Sequence, residues 1–100
     1  MLDEQFFQGK LCDSNLSYEF FPRNPIRLPL KKIGKEMREN GQLFDIQTEF
    51  VLVFPIQGVK VSIYPSAKIL VKNVNEEKKA REVMNAVLGV LNECPSARNL

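Results

Sequence analysis

The sequence predicts an α+β domain: an antiparallel sheet of about four to five strands with two helices packed on one face. Three observations indicate this fold class. One long segment repeats apolar residues at steps of three and four, three short segments alternate apolar and polar residues, and the connections between those short segments are brief. The predicted order of elements is strand, helix, three strands and helix, that is β-α-β-β-β-α.

The size and charge of the chain fit one small domain. Its 100 residues are 44% hydrophobic, which is enough for a single core. We assign residues 1–14 to an N-terminal extension, 15–95 to the domain and 96–100 to a C-terminal tail.

The net charge of +2 is well below that of proteins that coat nucleic acid regardless of sequence. Because no apolar run is long enough to span a bilayer and the N-terminal segment lacks a secretory apolar region, we predict a cytoplasmic protein with no membrane contact.

The absence of histidine bears on enzymatic function. It excludes Ser-His and Cys-His nucleophile pairs, HExxH zinc sites and facial-triad iron sites. Cys12 and Cys94 lie near opposite ends of the chain, without the CxxC spacing of a zinc or redox site. The adjacent carboxylates Glu76 and Glu77 fall in a predicted first helical turn, where the helix dipole favours acids. We therefore expect no enzymatic activity, no cofactor and no metal.

Two segments are predicted to form helices. The long helix, 75–94, has Asn75 as its candidate N-cap and ends before Pro95. The short helix has Pro29 in its first turn and ends at Asn40-Gly41. Each helix has an apolar face, which we expect to be buried. The face of the long helix consists of Ala80, Val83, Met84, Val87, Val90, Leu91 and Cys94, and that of the short helix of Leu30, Ile33 and Met37.

Strands are predicted on both sides of the short helix. Residues 18–21 are predicted to form an edge strand or a bulged strand that resumes at 26–28 after a proline interruption. Segments 45–54, 58–64 and 68–74 alternate in polarity and are joined by short connections, which indicates an antiparallel meander. In 45–54 the alternation places Ile46, Phe50, Leu52 and Phe54 on one side, and Gln47, Glu49, Val51 and Val53 on the other.

One face of this predicted meander is wholly apolar and should receive both helices. The opposite face mixes apolar and polar side chains, namely Val51, Val53, Tyr64 and Leu70 with Gln47, Glu49, Lys60, Ser62 and Lys72. This mixture is too apolar for an ordinary solvated surface and too polar for a core, which indicates a contact surface. The alternative is that β-branched residues are simply good strand formers on a half-exposed sheet.

A local resemblance supports the same architecture. The run IYPSAKILV at 63–71, followed by Asn75-Glu76-Glu77 and the long helix, resembles one repeat of the TATA-box-binding protein family. In that family an aromatic-ended strand, a Ser-Gly-Lys turn, an apolar strand and a Ser-Glu-Glu helix start follow in this order. The resemblance covers 59–91 and implies a curved antiparallel sheet with two helices on its convex side.

The resemblance also implies contact with nucleic acid. Tyr64 stands at the position of the phenylalanine that the family inserts into the minor groove. The chain departs from the family in three ways. It has a single repeat in place of two, Ala67 replaces the glycine of the turn, and the acidic Glu49 lies on the face that would meet DNA.

Basic residues are concentrated in 23–38. They are Arg23, Arg27, Lys31, Lys32, Lys35 and Arg38, with Glu36 as the one acid in that segment. On the predicted short helix, Lys31, Lys35 and Arg38 share one flank, which suits phosphates or an acidic protein. The alternative is that a short helix carries lysines for solubility.

Two functions are expected from these features. The first is a non-enzymatic interaction module that binds a protein partner, or a second copy of itself as a homodimer, through the open sheet face. The second is a nucleic-acid-binding module that uses Tyr64 and the basic residues. The candidate contact residues are Tyr64, Lys60, Lys72, Val51, Val53, Leu70, Arg27, Lys31, Lys35 and Arg38.

Overall fold

A computed structural model describes residues 2–12, 17–74 and 76–98 of the chain. After a short 3-10 helix, Glu4–Phe6, the described part consists of six strands and three α-helices. In chain order they are β1 (Phe7–Cys12), β2 (Ser17–Pro22), α1 (Leu30–Glu39), β3 (Ile46–Gln47), β4 (Leu52–Ile56), β5 (Val59–Ile63), β6 (Ile69–Val71), α2 (Glu77–Asn92) and α3 (Pro95–Arg98). The strands form one antiparallel sheet in the spatial order β1-β2-β6-β5-β4-β3. The α+β class and the antiparallel sheet are therefore confirmed.

The core lies between one face of the sheet and the helices. The inward side chains of the inner strands are at most 9% exposed, and they are Tyr18, Phe20, Leu52, Phe54, Val61, Ile63, Ile69 and Val71. They form a single hydrophobic cluster with the apolar faces of α1 and α2. The opposite face of the sheet, which we call the open face, has no helix on it within the described part of the chain.

Both predicted helices are confirmed, with changes at their ends. The predicted apolar residues of α1 and α2 are buried, except Val90, which is partly buried. Pro29 is the N-cap of α1, and Asn40 is its C-cap. The N-cap of α2 is Glu76, and the predicted N-cap Asn75 lies outside the described residues. α2 ends at Asn92, and Pro95 begins α3.

The prediction of one strand over 45–54 is wrong. The Thr48 amide donates to the Val51 carbonyl at 3.1 Å, and the Thr48 hydroxyl accepts from the Phe50 and Val51 amides at 3.1 and 3.0 Å. This side-chain-supported turn divides the segment into β3 and β4 and resets the alternation. As a result Ile46 pairs with Val53 on the open face, Gln47 pairs with Leu52, and Phe50 is exposed in the turn.

The prediction of a strand at 26–28 is also wrong. The chain leaves β2 at Pro22 and crosses to α1 without strand pairing. The Leu28 amide instead donates to the Pro65 carbonyl at 2.8 Å, and the Leu28 side chain is buried. This contact ties the loop to the turn between β5 and β6.

The segment assigned to an N-terminal extension supplies β1, so the sheet has six strands and the order of elements differs from the prediction. All six residues of β1 pair with β2. Gly9 permits this pairing, since a Cβ atom there would stand 2.8 Å from the Phe20 ring. Leu2 is buried, and its backbone exchanges hydrogen bonds of 2.9 and 2.7 Å with the Asn92 amide group on α2. These contacts fix the start of the chain against the helix layer.

Candidate protein-contact surface

An apolar row crosses the open face of the sheet. The strand register makes Ile46, Val53, Ser62 and Leu70 successive neighbours on β3, β4, β5 and β6. Val53 is only 6% exposed and Ser62 1%, although neither belongs to the cluster under the helices. Leu70 is half-buried and Ile46 is exposed. The row is therefore shielded from solvent at Val53 and Ser62 and exposed at Ile46, on the β3 edge.

The large exposed hydrophobic side chains are concentrated in the chain segment that carries β3. Of the four in the described residues, three lie within 43–50: Leu43 is 77% exposed, Ile46 47% and Phe50 71%. Clustered exposure of this kind is typical of interaction sites. We use the name contact surface for Leu43, Ile46, Phe50, Val53 and Leu70.

The segment that carries these side chains is held in place. The Phe44 ring packs edge-on against the buried Phe54 ring with 5.7 Å between centroids. The Gln42 side-chain amide donates to the Pro55 carbonyl at 3.2 Å. Leu43 and Pro55 line an open cavity of about 530 Å³ beside this contact. The exposed side chains are consequently presented from an anchored loop.

Two of the lysines on the open face are paired with carboxylates. The Lys60 ammonium lies 3.4 Å from Asp45, and the Lys68 ammonium lies 3.4 Å from Glu19. Lys72 is half-buried, and no carboxylate of the described residues lies within 4.0 Å of it. Two of the open-face lysines therefore have little free charge to offer a phosphate.

Tyr64 occupies the predicted position at the end of β5. It is half-buried while Ile63 is fully buried, and the Lys68 ammonium lies 5.2 Å from the centre of its ring. The following turn is closed by the Ala67 amide, which donates to the Tyr64 carbonyl at 2.9 Å. Ala67 has a φ of +69° in this turn. The turn thus uses the left-handed conformation that glycine adopts without strain.

The basic residues of the first helix do not join the open face. Lys31 and Lys35 are exposed on α1, which packs against the opposite face of the sheet, and Arg27 is exposed in the loop before it. Arg38 reaches the cavity beside Leu43 at the β3 edge. The predicted nucleic-acid contacts are therefore divided between two layers, with only Arg38 at the boundary.

Sequence reasoning identified part of this surface and missed the rest. It placed Val53, Leu70 and Tyr64 on the open face; the strand register puts Val53 and Leu70 there, and Tyr64 follows the end of β5. Val51 is half-buried between the Thr48 turn and β4 and belongs to no strand. The missed residues are Leu43, Ile46 and Phe50. Thr48-Glu49 was the available signal, because a threonine followed by a polar residue within an apolar run favours a turn.

The described residues offer little support for metal or thiol chemistry. They contain no group of three or more histidine, cysteine, aspartate and glutamate side chains placed to hold a metal ion. Cys94 is fully buried, and burial raises the pKa of its thiol to about 11, with Glu36 and Glu93 acting in the same direction. A thiol with this pKa stays protonated near neutral pH and is a poor nucleophile. The side chain of Cys12 lies outside the described residues.

Neither the described helices nor similarity to known proteins adds a guide to function beyond the contact surface. Among the helices in the described ranges, none has the length and apolar character needed to cross a membrane. The resemblance to the TATA-box-binding protein family over 59–91 therefore stays a prediction, since no family model, curated protein or solved structure matches the chain.

Proposed function

We propose that this domain is a non-enzymatic, cytoplasmic interaction module that binds a partner protein through the contact surface. The observation that carries the proposal is the grouping of Leu43, Ile46 and Phe50, at 77%, 47% and 71% exposure, beside the apolar row of the open face. Folding leaves these side chains in water, and a protein partner would remove them from it.

A protein partner fits this surface better than a nucleic acid does. Protein interfaces have an apolar centre with aromatic anchors and a polar rim, and here Phe50 and Ile46 would supply the anchors. The pairs Lys60–Asp45 and Lys68–Glu19 would form the rim. Nucleic acids instead require unpaired cations for the phosphate backbone.

Single-stranded nucleic acid is the second candidate, and one observation favours it. The Tyr64 ring is half-buried, with Lys68 beside it, and Lys72 follows the neighbouring strand β6. A partly exposed aromatic ring next to lysines offers stacking and charge together. This candidate would use the centre of the open face and leave Leu43 and Phe50 without a role.

Affinity capture from cell lysate with paired variants tests the proposal. The domain is compared with its Leu43→Ser, Phe50→Ser double variant, and the matched control is Phe6→Ser, which alters an exposed large hydrophobic side chain at the other edge. We expect a set of proteins retained by wild type and by Phe6→Ser, and lost by the double variant at an unchanged melting temperature.

A second measurement separates the two candidates. Binding of a labelled oligothymidine is followed by fluorescence anisotropy at low and high salt for wild type and Tyr64→Ala. No binding is expected. Salt-sensitive binding that Tyr64→Ala abolishes, together with protein capture that the double variant leaves intact, would replace the proposal with the second candidate.

A further inference from the structure

Within the sheet of the described residues, the strand β1 has one edge without a neighbouring strand. It is the terminal strand of the described sheet and pairs along all six residues with β2. The opposite terminal strand, β3, is only two residues long. Edge strands in natural proteins are usually protected by proline, by several charges or by a bulge. β1 contains no proline, and its single charged residue is Lys10.

The direction of the unused backbone groups follows from two observations. The Arg23 amide donates to the Phe6 carbonyl at 2.7 Å, and Pro22, which lies opposite Phe7, has no amide hydrogen. Since hydrogen-bonded and non-bonded pairs alternate in an antiparallel ladder, the bonded positions of β1 are the even-numbered ones. The N–H and C=O groups of Gly9 and Leu11 and the C=O group of Phe7 therefore point away from β2, whereas the Phe7 N–H donates to the Glu4 carbonyl within the 3-10 turn.

We propose that two copies of the chain associate by pairing β1 with β1, antiparallel, about a two-fold axis at Gly9. In this register Gly9 lies opposite Gly9 of the second copy, and Phe7 lies opposite Leu11 of the second copy. Gly9 and its counterpart in the second copy then exchange two hydrogen bonds, and each Leu11 amide donates to the Phe7 carbonyl of the second copy, which gives a symmetric set of backbone hydrogen bonds. The two sheets become one, with a β3 strand at each outer end.

The charge on β1 favours this register over the neighbouring ones. The axis at Gly9 places Lys10 opposite Gln8 of the second copy, so no like charges meet. A shift toward the C-terminus of β1 would set Lys10 opposite Lys10 and leave Phe7 unpaired in the described strand, while a shift the other way would leave Leu11 opposite the 3-10 helix. The Phe6 ring, 41% exposed at the start of β1, would lie beside the end of the second strand and lose exposure.

This association uses the edge opposite to the contact surface and does not depend on the proposed function. In the dimer the two contact surfaces remain free, because each lies at an outer end of the joined sheet. Loss of partner capture and loss of self-association can consequently be observed separately.

Sedimentation equilibrium of the full chain, over about a hundredfold range of concentration, tests the pairing. The expected mass rises from 11.5 kDa toward twice that value. Gln8→Lys places two like-charge pairs across the axis and should weaken the dimer roughly three- to thirtyfold, whereas Gln8→Glu should tighten it a few fold. The matched control is Gln47→Lys on β3, which should change nothing. The difference between the two Gln8 variants should shrink at high salt.

Hydrogen exchange locates the interface directly. The amides of Gly9 and Leu11 should exchange quickly at low concentration and become protected as the dimer forms, while the Gln8 and Lys10 amides, bonded to β2, are protected throughout. A monomer at every concentration would overturn the proposal. So would a dimer that is insensitive to both Gln8 variants, or one that Gln47→Lys weakens equally, since either would place the interface elsewhere.

Discussion

The central strands β5 and β6 and the hairpin of β3 and β4 come from similarly apolar segments, but their large side chains end in different environments. In the centre, Ile63 and Ile69 are completely buried, as alternation predicts. At the β3 edge, Ile46 and Phe50 are 47% and 71% exposed. A central strand has a neighbour on each side and helices against one face, so alternation decides which side chains are buried. At the β3 edge, the hydrogen bonds of the Thr48 turn decide which side chains are exposed.

The largest expected effect separates the helix stripe from the exposed edge. Leu91→Ala should lower the free energy of unfolding by about 2–4 kcal/mol, because Leu91 is fully buried on α2 and its truncation leaves a cavity. Phe50→Ser should change it by less than about 0.5 kcal/mol, since its ring is already in water. Urea denaturation of both variants, with the exposed Lys78→Ala as a control, measures the difference. Equal shifts for Leu91→Ala and Phe50→Ser would show that Phe50 belongs to the core.

An intermediate effect is expected at the other edge. Gly9→Ala should cost about 1–3 kcal/mol, because the new methyl group would lie 2.8 Å from the Phe20 ring, which is itself buried and has little room to move. The matched control is Gly89→Ala on α2, where a Cβ meets nothing within 4 Å. This control should stabilise the protein by roughly 0.5–1 kcal/mol through helix propensity. If both substitutions stabilised the protein, β1 would not pack against Phe20 as described.

The division between the centre and the edges of the sheet also separates the parts of the fold that the sequence predicts from those that it does not. The α2 stripe and the strands β5 and β6 were predicted from periodicity, because each is long or regular enough for one period to dominate. β1 was missed because FQGKLC has weak alternation and a glycine whose reason is the distant Phe20 ring. The strand predicted at 26–28 fails because the Leu28 amide finds the Pro65 carbonyl, a contact between positions far apart in the chain.

The candidate site was predicted in its centre and missed at its rim. Val53 and Leu70 follow from strand alternation, which places them opposite the buried residues of β4 and β6. Ile46 was assigned to the wrong face because the Thr48 hydroxyl forms a turn that resets the alternation. The rim therefore depends on one side-chain hydrogen-bonding group, and hydrophobic periodicity carries no information about it.

The smallest expected effect concerns the tie between the N-terminal segment and α2. The Arg81 guanidinium donates to Glu4 at 2.8 Å, and this hydrogen bond, with a weaker one from Asn85, lowers the pKa of the Glu4 carboxyl from its ordinary value of 4.5. A carboxyl whose pKa is lower in the folded state stabilises the fold above the pKa of the unfolded chain. That stabilisation is lost as the pH falls through the folded pKa. Both side chains are about one-third exposed, so solvent screens the pair and the effect is small.

Glu4→Gln should therefore reduce stability slightly at pH 7 and make no difference well below pH 4. The measurement is the free energy of unfolding of wild type and variant across this range, with Glu82→Gln, an exposed acid on the same helix as Arg81, as the control. Because Arg81 also lies 3.7 Å from Glu77, it keeps one carboxylate partner in the variant, and this further limits the loss. A difference between wild type and Glu4→Gln that persisted unchanged into acid would assign the loss to packing of the N-terminal segment, not to the charge of Glu4.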